Sequence, residues 1–253
     1  MIGFFDPSEP IAELQGNLPH WRQGGATYFV TFRLADSLPQ EKLKQWLIER
    51  EAWMKRHPQP HSPTVQQEYH TRFSERMHAW LDAGYGECVL ARPEVRRIVV
   101  EALNQFNGER YQLRGWVVMP NHVHVVVTPL AGHELSDILH SWKSFTAKQI
   151  NKLLGRKGQL WQKESFDHII RSPVALERIE LYMQLNSAGL ASDTYTLSSE
   201  LRTRRDAAST DDNILPLLRQ RQSDMPARWG TMTVRRRGPL ACQVIRPSWG
   251  PSI

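Results

Sequence analysis

The stretch "VVMPNHVHVVVTPL", Val117 to Leu130, constrains this chain more than any other. It is dominated by valine, is broken once by Pro120 and Asn121, and carries two histidines one residue apart. Side chains alternate across a strand, so His122, His124 and Val126 share one face while Val123, Val125 and Val127 fill the other. The valine face can be buried. The histidine face must then meet something polar, because an imidazole buried without a partner costs free energy.

The flanking segments supply the rest of an α+β pattern. "GGATYFVTFRLA", Gly24 to Ala35, reads as a first strand with Tyr28, Val30 and Phe32 on one face and Phe29, Thr31 and Arg33 on the other. "PQEKLKQWLIEREAWMKRH" carries Leu43, Trp46, Leu47 and Trp53 or Met54 at helical spacing before Pro58. A loop, "PQPHSPTV", and a second helical segment, "QEYHTRFSERMHAWLDAG", follow it. "RPEVRRIVVEALNQFNG" places Pro93 in a first turn, runs Val95, Ile98, Val99, Ala102, Leu103 and Phe106 along one face, and stops at Gly108. Pro120 and Asn121 then supply a turn between two strands, which predicts an antiparallel pair.

"LSDILHSWKSFTAKQINKLLG" is a further helix closed by Gly155. The basic stretch "RKGQLWQKESFDHIIR" passes into an extended segment, after which Ser172 offers an N-cap and Pro173 a first-turn residue for "PVALERIELYMQLN". In that helix Leu176, Ile179, Tyr182, Met183 and Asn186 fall on one face.

Composition bounds the function classes. With 40% hydrophobic and 23% charged residues, and no run near the roughly 18 apolar residues of a membrane span, the chain is expected to be soluble and globular. The N-terminal stretch lacks the pattern of a secretory signal, so a cytoplasmic location is expected. Cys88 and Cys242 stand far apart without a CxxC, which indicates neither a disulfide framework nor a thiolate metal site. Lys and Arg outnumber Asp and Glu by 32 to 26, giving a net charge of +6, compatible with a polyanionic partner. Residues 191–253 hold ten arginines and no lysine, and their periodicity fades. This tail is expected to be poorly ordered.

Taken singly, the candidate residues each have a bland reading. A His-x-His pair is either a hydrated polar strand face or two ligands aimed at one divalent ion. Tyr182 on an apolar stripe is either core or a nucleophile. Asn186 is either a C-terminal cap or an amide that needs a hydrogen-bond or metal partner. Asp167 and His168 are either catalytic or near a metal, or an exposed structural pair at the end of a strand. Trp161 could stack a base, and Arg156, Lys157, Lys163 and Arg171 could contact phosphates, though a basic loop is also an ordinary solvated surface.

In combination the segments are similar to a known family. The order strand, helix, "MPNHVHVVV" hairpin, helix, "LWQKESFDHIIR", then a Tyr-x-x-x-Asn helix resembles the Y1 HUH transposases of the IS200/IS605 type, most closely the REP-associated tyrosine transposases. The resemblance covers about Leu18 to Leu190. It implies a ferredoxin-like α+β domain, an antiparallel sheet with helices packed on one face, preceded by a lead over 1–17, interrupted by a helical insertion near 58–88 and followed by the tail at 191–253. The family's two metal-binding histidines fall on His122 and His124, its nucleophilic tyrosine on Tyr182, and the amide completing its metal site on Asn186. The family continues that helix as Tyr-Ile-x-x-Asn-Pro-Val-x-Ala-Gly-Leu, whereas this chain reads "YMQLNSAGL", two residues shorter and without the proline.

The implied activity is nicking and rejoining of single-stranded DNA at sites flanked by hairpins, through a 5′-phosphotyrosine intermediate, with Mg²⁺ or Mn²⁺ as cofactor. The implied partner is a hairpin or palindromic, REP-like DNA element, bound by a monomer or a homodimer. Two rival readings stand beside this one: an inactive or domesticated hairpin-binding relative, and a metal-dependent phosphohydrolase in which Tyr182 is merely core.

Overall fold

The computed structural model describes residues 3–10, 12–14, 20–58, 63–77, 80, 83–187 and 190–208. Its strands are β1 (Ala12–Leu14), β2 (His20–Arg22), β3 (Tyr28–Arg33), β4 (Tyr111–Val118), β5 (His122–Pro129), β6 (Phe166–Ile169) and β7 (Thr196–Leu197). Its α-helices are α1 (Gln40–Arg56), α2 (Pro63–Tyr69), α3 (Pro93–Asn104), α4 (Leu135–Leu153), α5 (Pro173–Asn186) and α6 (Ser199–Ala208). The main sheet runs β6-β3-β5-β4-β7 with every pair antiparallel. Counting only β3, β4, β5 and β6, joined through α3 and α4, the spatial order is fourth, first, third, second. That is the split βαβ arrangement of a ferredoxin-like domain.

Alternation along the strands builds two distinct faces. Val30 and Phe32 of β3 and Val123, Val125 and Val127 of β5 are fully or almost fully buried, and they meet Val95, Val99 and Leu103 of α3 and Leu135, Ile138 and Trp142 of α4. The i, i+4, i+8 spacing of the α3 valines and leucine is what lets one helix face cover the sheet. Polar atoms inside this layer are satisfied locally: Trp142 Nε1 donates to the Tyr111 hydroxyl at 2.9 Å, and that hydroxyl donates to the Leu103 carbonyl at 2.8 Å.

The other face, which carries the histidines, is covered as well. The expectation of helices on one face holds for α3 and α4, but α5 and α6 pack against the second. Phe29, Val117, Met119 and Val126 of the sheet meet Leu176 and Met183 of α5 and Leu201 of α6. α5 begins as its sequence predicts, with Ser172 accepting from the Ala175 amide at 3.1 Å and Pro173 in the first turn. Arg114 of β4 donates to the buried Glu180 of α5 at 2.8 Å, tying the helix to the sheet where β4 shifts register around Arg114.

Residues 190–208 are part of this layer, although periodicity alone placed them in the tail. Arg96 of α3 explains how: its guanidinium donates to the carbonyls of Leu90, Ala91 and Asp193 and to the Thr196 hydroxyl. The short strand β7 is pinned beside β4, and α6 starts directly after it. The rest of the Arg-rich tail, 209–253 with Cys242, lies outside the described residues.

α1 and the segment after α2 share a small core. Trp46 and Trp53 of α1 pack with Leu38, Phe73 and Met77, the latter two on the segment that continues α2 through a π-helical stretch, His70–Glu75. Parts of the second predicted helix, 78–79 and 81–82, are outside the described residues. The N-terminal lead is anchored through the Gly3 carbonyl, which accepts from Thr27 N at 2.7 Å, and Phe5 N, which donates to the Ile170 carbonyl at 3.1 Å. Cys88 is buried.

Gly115 measures how tightly α6 sits on the sheet. A Cβ built there would lie 2.8 Å from Leu201 Cγ, whereas one built on Gly24 meets nothing within 4 Å. Gly115→Ala is therefore expected to cost about 1 to 3 kcal/mol through overpacking, and Gly24→Ala much less. Denaturant unfolding of the two variants checks this; equal costs would mean that α6 is not seated as described.

Candidate functional site

The histidine face of β5 is legible in the pairing register. His124 lies opposite Thr31 of β3, and His122 opposite Arg33. Both imidazoles are essentially buried, so each ring nitrogen must be accounted for.

Asn121 Oδ1 lies 2.7 Å from His122 Nδ1, while Asn121 Nδ2 donates to the Tyr85 carbonyl at 3.1 Å. An amide oxygen can only accept, so Nδ1 of His122 carries the proton and its Nε2 presents a lone pair. His124 Nδ1 is 2.7 Å from the Thr31 hydroxyl. The two Nε2 atoms therefore converge, 3.0 Å apart. Phe29 stacks on His124 with ring centroids 5.2 Å apart and holds its plane.

α5 completes the cluster from above. Its Tyr182 hydroxyl is 3.4 Å from His124 Nε2, its Asn186 Nδ2 is 3.2 Å from the same atom, and Nδ2 donates to the Tyr182 hydroxyl at 3.3 Å. The i, i+4 spacing puts both side chains over one point of the sheet, and both remain half-buried. Three side chains from two elements, His122, Tyr182 and Asn186, thus meet within hydrogen-bond reach of His124 Nε2.

The residues present fit a divalent ion. Two ligands at right angles on one ion, each at a metal–nitrogen distance of about 2.0 to 2.1 Å, lie about 3 Å apart. The two Nε2 atoms have this separation, and their Nδ1 atoms carry the outer hydrogen bonds that orient ligating histidines. A half-turn of the Asn186 amide, which interchanges its O and N positions, brings a carbonyl oxygen to the same point. Among the described residues no group of three or more His, Cys, Asp or Glu side chains is gathered to hold a metal, so an imidazole pair with an amide is what this site offers.

The remaining candidates lie elsewhere. Trp161 is buried, with its Nε1 donating to Thr146 Oγ1 at 2.8 Å and its ring edge-on to Phe32 at 4.9 Å, so it has no open face for a base. Arg156 is engaged with Glu87 at 2.9 Å and with Asn151. Lys157 and Lys163 are exposed. Arg171, also exposed, lies over the rings of Phe5 and Trp21. Asp167 is paired with Arg22 on the face away from the histidines. His168 sits on the histidine face, its ring 5.4 Å from that of Phe29.

Thr31 and Asn121 were not singled out as site residues in the sequence, yet both touch the imidazoles. The signals were available: Asn121 immediately precedes His122, and Thr31 is the polar break in the Phe29 and Arg33 face of the first strand.

Two cations flank this region at the end of the sheet. Burial pushes the Arg33 guanidinium down to about 10, with Glu164 opposing the shift, so it stays charged at neutral pH. Burial, then the positive charge of Arg33, push the Lys143 ammonium down to about 8. Lys143 Nζ donates to the Lys163 carbonyl at 2.8 Å and to Ser165, which holds the 162–165 segment against α4.

Fold and site together define a ferredoxin-like α+β protein in which a buried histidine pair on the central strand faces a tyrosine and an asparagine on a covering helix. Residues 89–186 match the family model described as "Transposase IS200 like". That stretch contains His122, His124, Tyr182 and Asn186, and over it the chain is similar to the IS200-like transposases. The matched segment is shorter than the 18–190 expected, and β3 with Thr31 and Arg33 lies before it. No curated protein matches the chain. Among solved structures it is similar to a REP-associated tyrosine transposase bound to a REP hairpin, at 17% identity and TM-score 0.37, covering 68% of this chain and 73% of that one. It is also similar to a protein of Deinococcus radiodurans R1 described as a transposase, at 14% identity and TM-score 0.30, covering 63% and 89%. Among the described residues no helix is long and apolar enough to cross a membrane.

The depressed Lys143 sets a sign for stability. Between pH 8 and 10.5 the native state gives up this proton while the unfolded chain still holds it, so the unfolded state binds more protons and this group's contribution to stability rises with pH. Lys143→Met removes that dependence. The stability of the variant relative to wild type should therefore be highest below pH 8 and fall steadily towards pH 10.5, measured by urea unfolding across the series. A difference independent of pH would show that Lys143 titrates normally.

Proposed function

We propose that this protein is a transposase that cuts and rejoins single-stranded DNA by attack of Tyr182 on a DNA phosphate. The single observation that carries the reading is the approach of the Tyr182 hydroxyl to within 3.4 Å of His124 Nε2, with Asn186 bridging the two.

His122, His124 and Asn186 would hold the divalent ion, Mg²⁺ or Mn²⁺, and the ion when bound supplies neutralisation of charge on a non-bridging phosphate oxygen. The protein's own groups do the rest. α5 positions the phenol, and Asn186 orients it through the hydrogen bond along one helix face. The phenolic oxygen forms a bond to phosphorus as the bond from phosphorus to the 3′ oxygen breaks. The phenolic proton leaves to solvent, and the departing 3′ oxygen takes one up. One phosphodiester replaces another, so the step is readily reversed and needs no nucleotide hydrolysis.

The substrate reading follows from the resemblance and from charge. A net charge of +6 favours a polyanion, and a single strand can splay its backbone to bring one phosphate to a site recessed under a helix. Hairpins flanking the cleavage site are the elements by which such a strand would be selected. Lys157 and Lys163, exposed on the segment before α5, are placed to meet backbone phosphates, whereas Arg156 would have to leave Glu87 and Arg171 already lies over Phe5 and Trp21.

Two variants test the chemistry. Tyr182→Phe keeps the ring on its helix face and removes the attacking atom, so stability should change little, hairpin binding should survive, and the denaturant-resistant protein–DNA adduct should vanish from a gel of labelled hairpin incubated with Mg²⁺ or Mn²⁺. An adduct that persists in this variant would place the nucleophile elsewhere. A wild-type protein that binds but never forms an adduct is the inactive relative, and one that cleaves with no adduct is the hydrolase.

The double variant His122→Ala/His124→Ala should lose cleavage by several orders of magnitude while retaining most of the DNA affinity, since backbone phosphate contacts lie elsewhere. Cleavage by the wild type that continues in EDTA would remove the metal from the scheme.

A further inference from the structure

His122 and His124 share one face of β5, yet the chain holds their outer nitrogens by different means. Nδ1 of His122 faces the Asn121 amide oxygen at 2.7 Å, an atom that can only accept, so this ring keeps its proton on Nδ1 and a lone pair on Nε2. Nδ1 of His124 faces the Thr31 hydroxyl, also at 2.7 Å, and a hydroxyl can either donate or accept. Thr31 is buried on β3 and lies before the residues that match the transposase family.

The two Nε2 atoms are 3.0 Å apart, a separation at which two lone pairs repel unless something positive lies between them. In the neutral pair that is a proton. His122 Nε2 can only accept, so the proton sits on His124 Nε2, the lone pair of His124 is on Nδ1, and the Thr31 hydroxyl donates to it. Tyr182 and Asn186 also border His124 Nε2, at 3.4 and 3.2 Å, but His122 is the nearer partner. Ligation of a divalent ion instead requires a lone pair on both Nε2 atoms. The proton of His124 must then be on Nδ1, where the Thr31 oxygen accepts it. The ring itself keeps its place in both states, stacked on Phe29 with 24° between the planes.

We propose that Thr31 is a positioning residue for the ion site, its hydroxyl reversing from donor to acceptor as the proton of His124 moves from Nε2 to Nδ1 on ion uptake. The inference rests on the metal reading above and adds to it how a buried pair is satisfied in both states. One proton leaves Nε2 to solvent and one is taken up from solvent at Nδ1, so the ring is neutral before and after. An acceptor alone at position 31 would hold His124 permanently as a ligand and set two lone pairs against each other in the ion-free chain. A donor alone would oppose ligation. The hydroxyl serves both states, and its bond is the stronger in the ion-bound one, because the charge of the ion polarises the Nδ1–H that it accepts.

The test uses the full-length chain without DNA, at mildly alkaline pH where imidazoles are neutral. Long-range nitrogen–proton NMR correlations, assigned with His122→Ala and His124→Ala, report which ring nitrogen carries each proton. Without added metal His122 should carry its proton on Nδ1 and His124 on Nε2; with diamagnetic Mg²⁺ only His124 should change, to Nδ1. Mn²⁺ affinity is read by electron paramagnetic resonance of the free ion, with the double variant His122→Ala/His124→Ala as the blank. It should fall about tenfold or more in Thr31→Val, the scale of losing an outer partner of a ligating histidine, and return close to wild type in Thr31→Ser. A His124 proton on Nδ1 with and without Mg²⁺, or an unchanged Mn²⁺ affinity in Thr31→Val, would overturn the proposal and leave the metal reading standing. No binding of either ion above the blank would remove both. If Thr31→Val fails to fold, the NMR comparison on the wild type decides alone.

Discussion

The structure depends on the register of β5 between β3 and β4. With His124 opposite Thr31 and Val125 opposite Val30, Val118, Val123, Val125 and Val127 are delivered to the α3 and α4 layer, and both histidines to the other side with Val117 and Val126. A slip of one residue would turn the imidazoles into the apolar α3 and α4 layer and take those valines out of it, so hydrophobic burial and the polar cluster enforce the same pairing. The cost of burying two imidazoles is offset only in that register, because Thr31 and Asn121 then meet the Nδ1 atoms.

The covering helix turns this polar face into a site. Leu176 and Met183 seat α5 on Phe29, Val117 and Val126, and the Arg114–Glu180 pair fixes it to β4. Tyr182 and Asn186 are then the two residues of the helix that reach past the apolar contact to the imidazoles. Burial does the positioning, and the hydrogen bonds only refine it, each being worth about a kilocalorie per mole against several for a buried large side chain. The α6 helix and β7 add a second clamp, which makes residues 190–208 part of the same packed layer.

α1 is joined to the histidine face of the sheet as well as to its own small core. Leu43, Trp46 and Leu47 line a volume of about 130 Å³ with Arg33, Glu164 and Phe166, and Trp46 packs edge to face on Phe166 of β6 at 6.0 Å.

How much of this the sequence carried can be judged residue by residue. Strand alternation and helix spacing determined the hairpin, α3, α4 and the capped start of α5 before any coordinates, because those signals are local and repeat with a fixed period. The same alternation put His122 and His124 on one face, and the i, i+4 rule put Tyr182 beside Asn186. Only the tertiary structure decided that the two pairs meet, since that depends on which face of the sheet α5 covers, a matter of long-range packing. It also decided that Trp161 is core, that Thr31 and Asn121 hold the imidazoles, and that the segment after Leu190 completes the sheet. Two of these outcomes rest on partners about a hundred residues apart, Thr31 with His124 and Arg96 with Thr196, and no period in a chain records a contact of that separation.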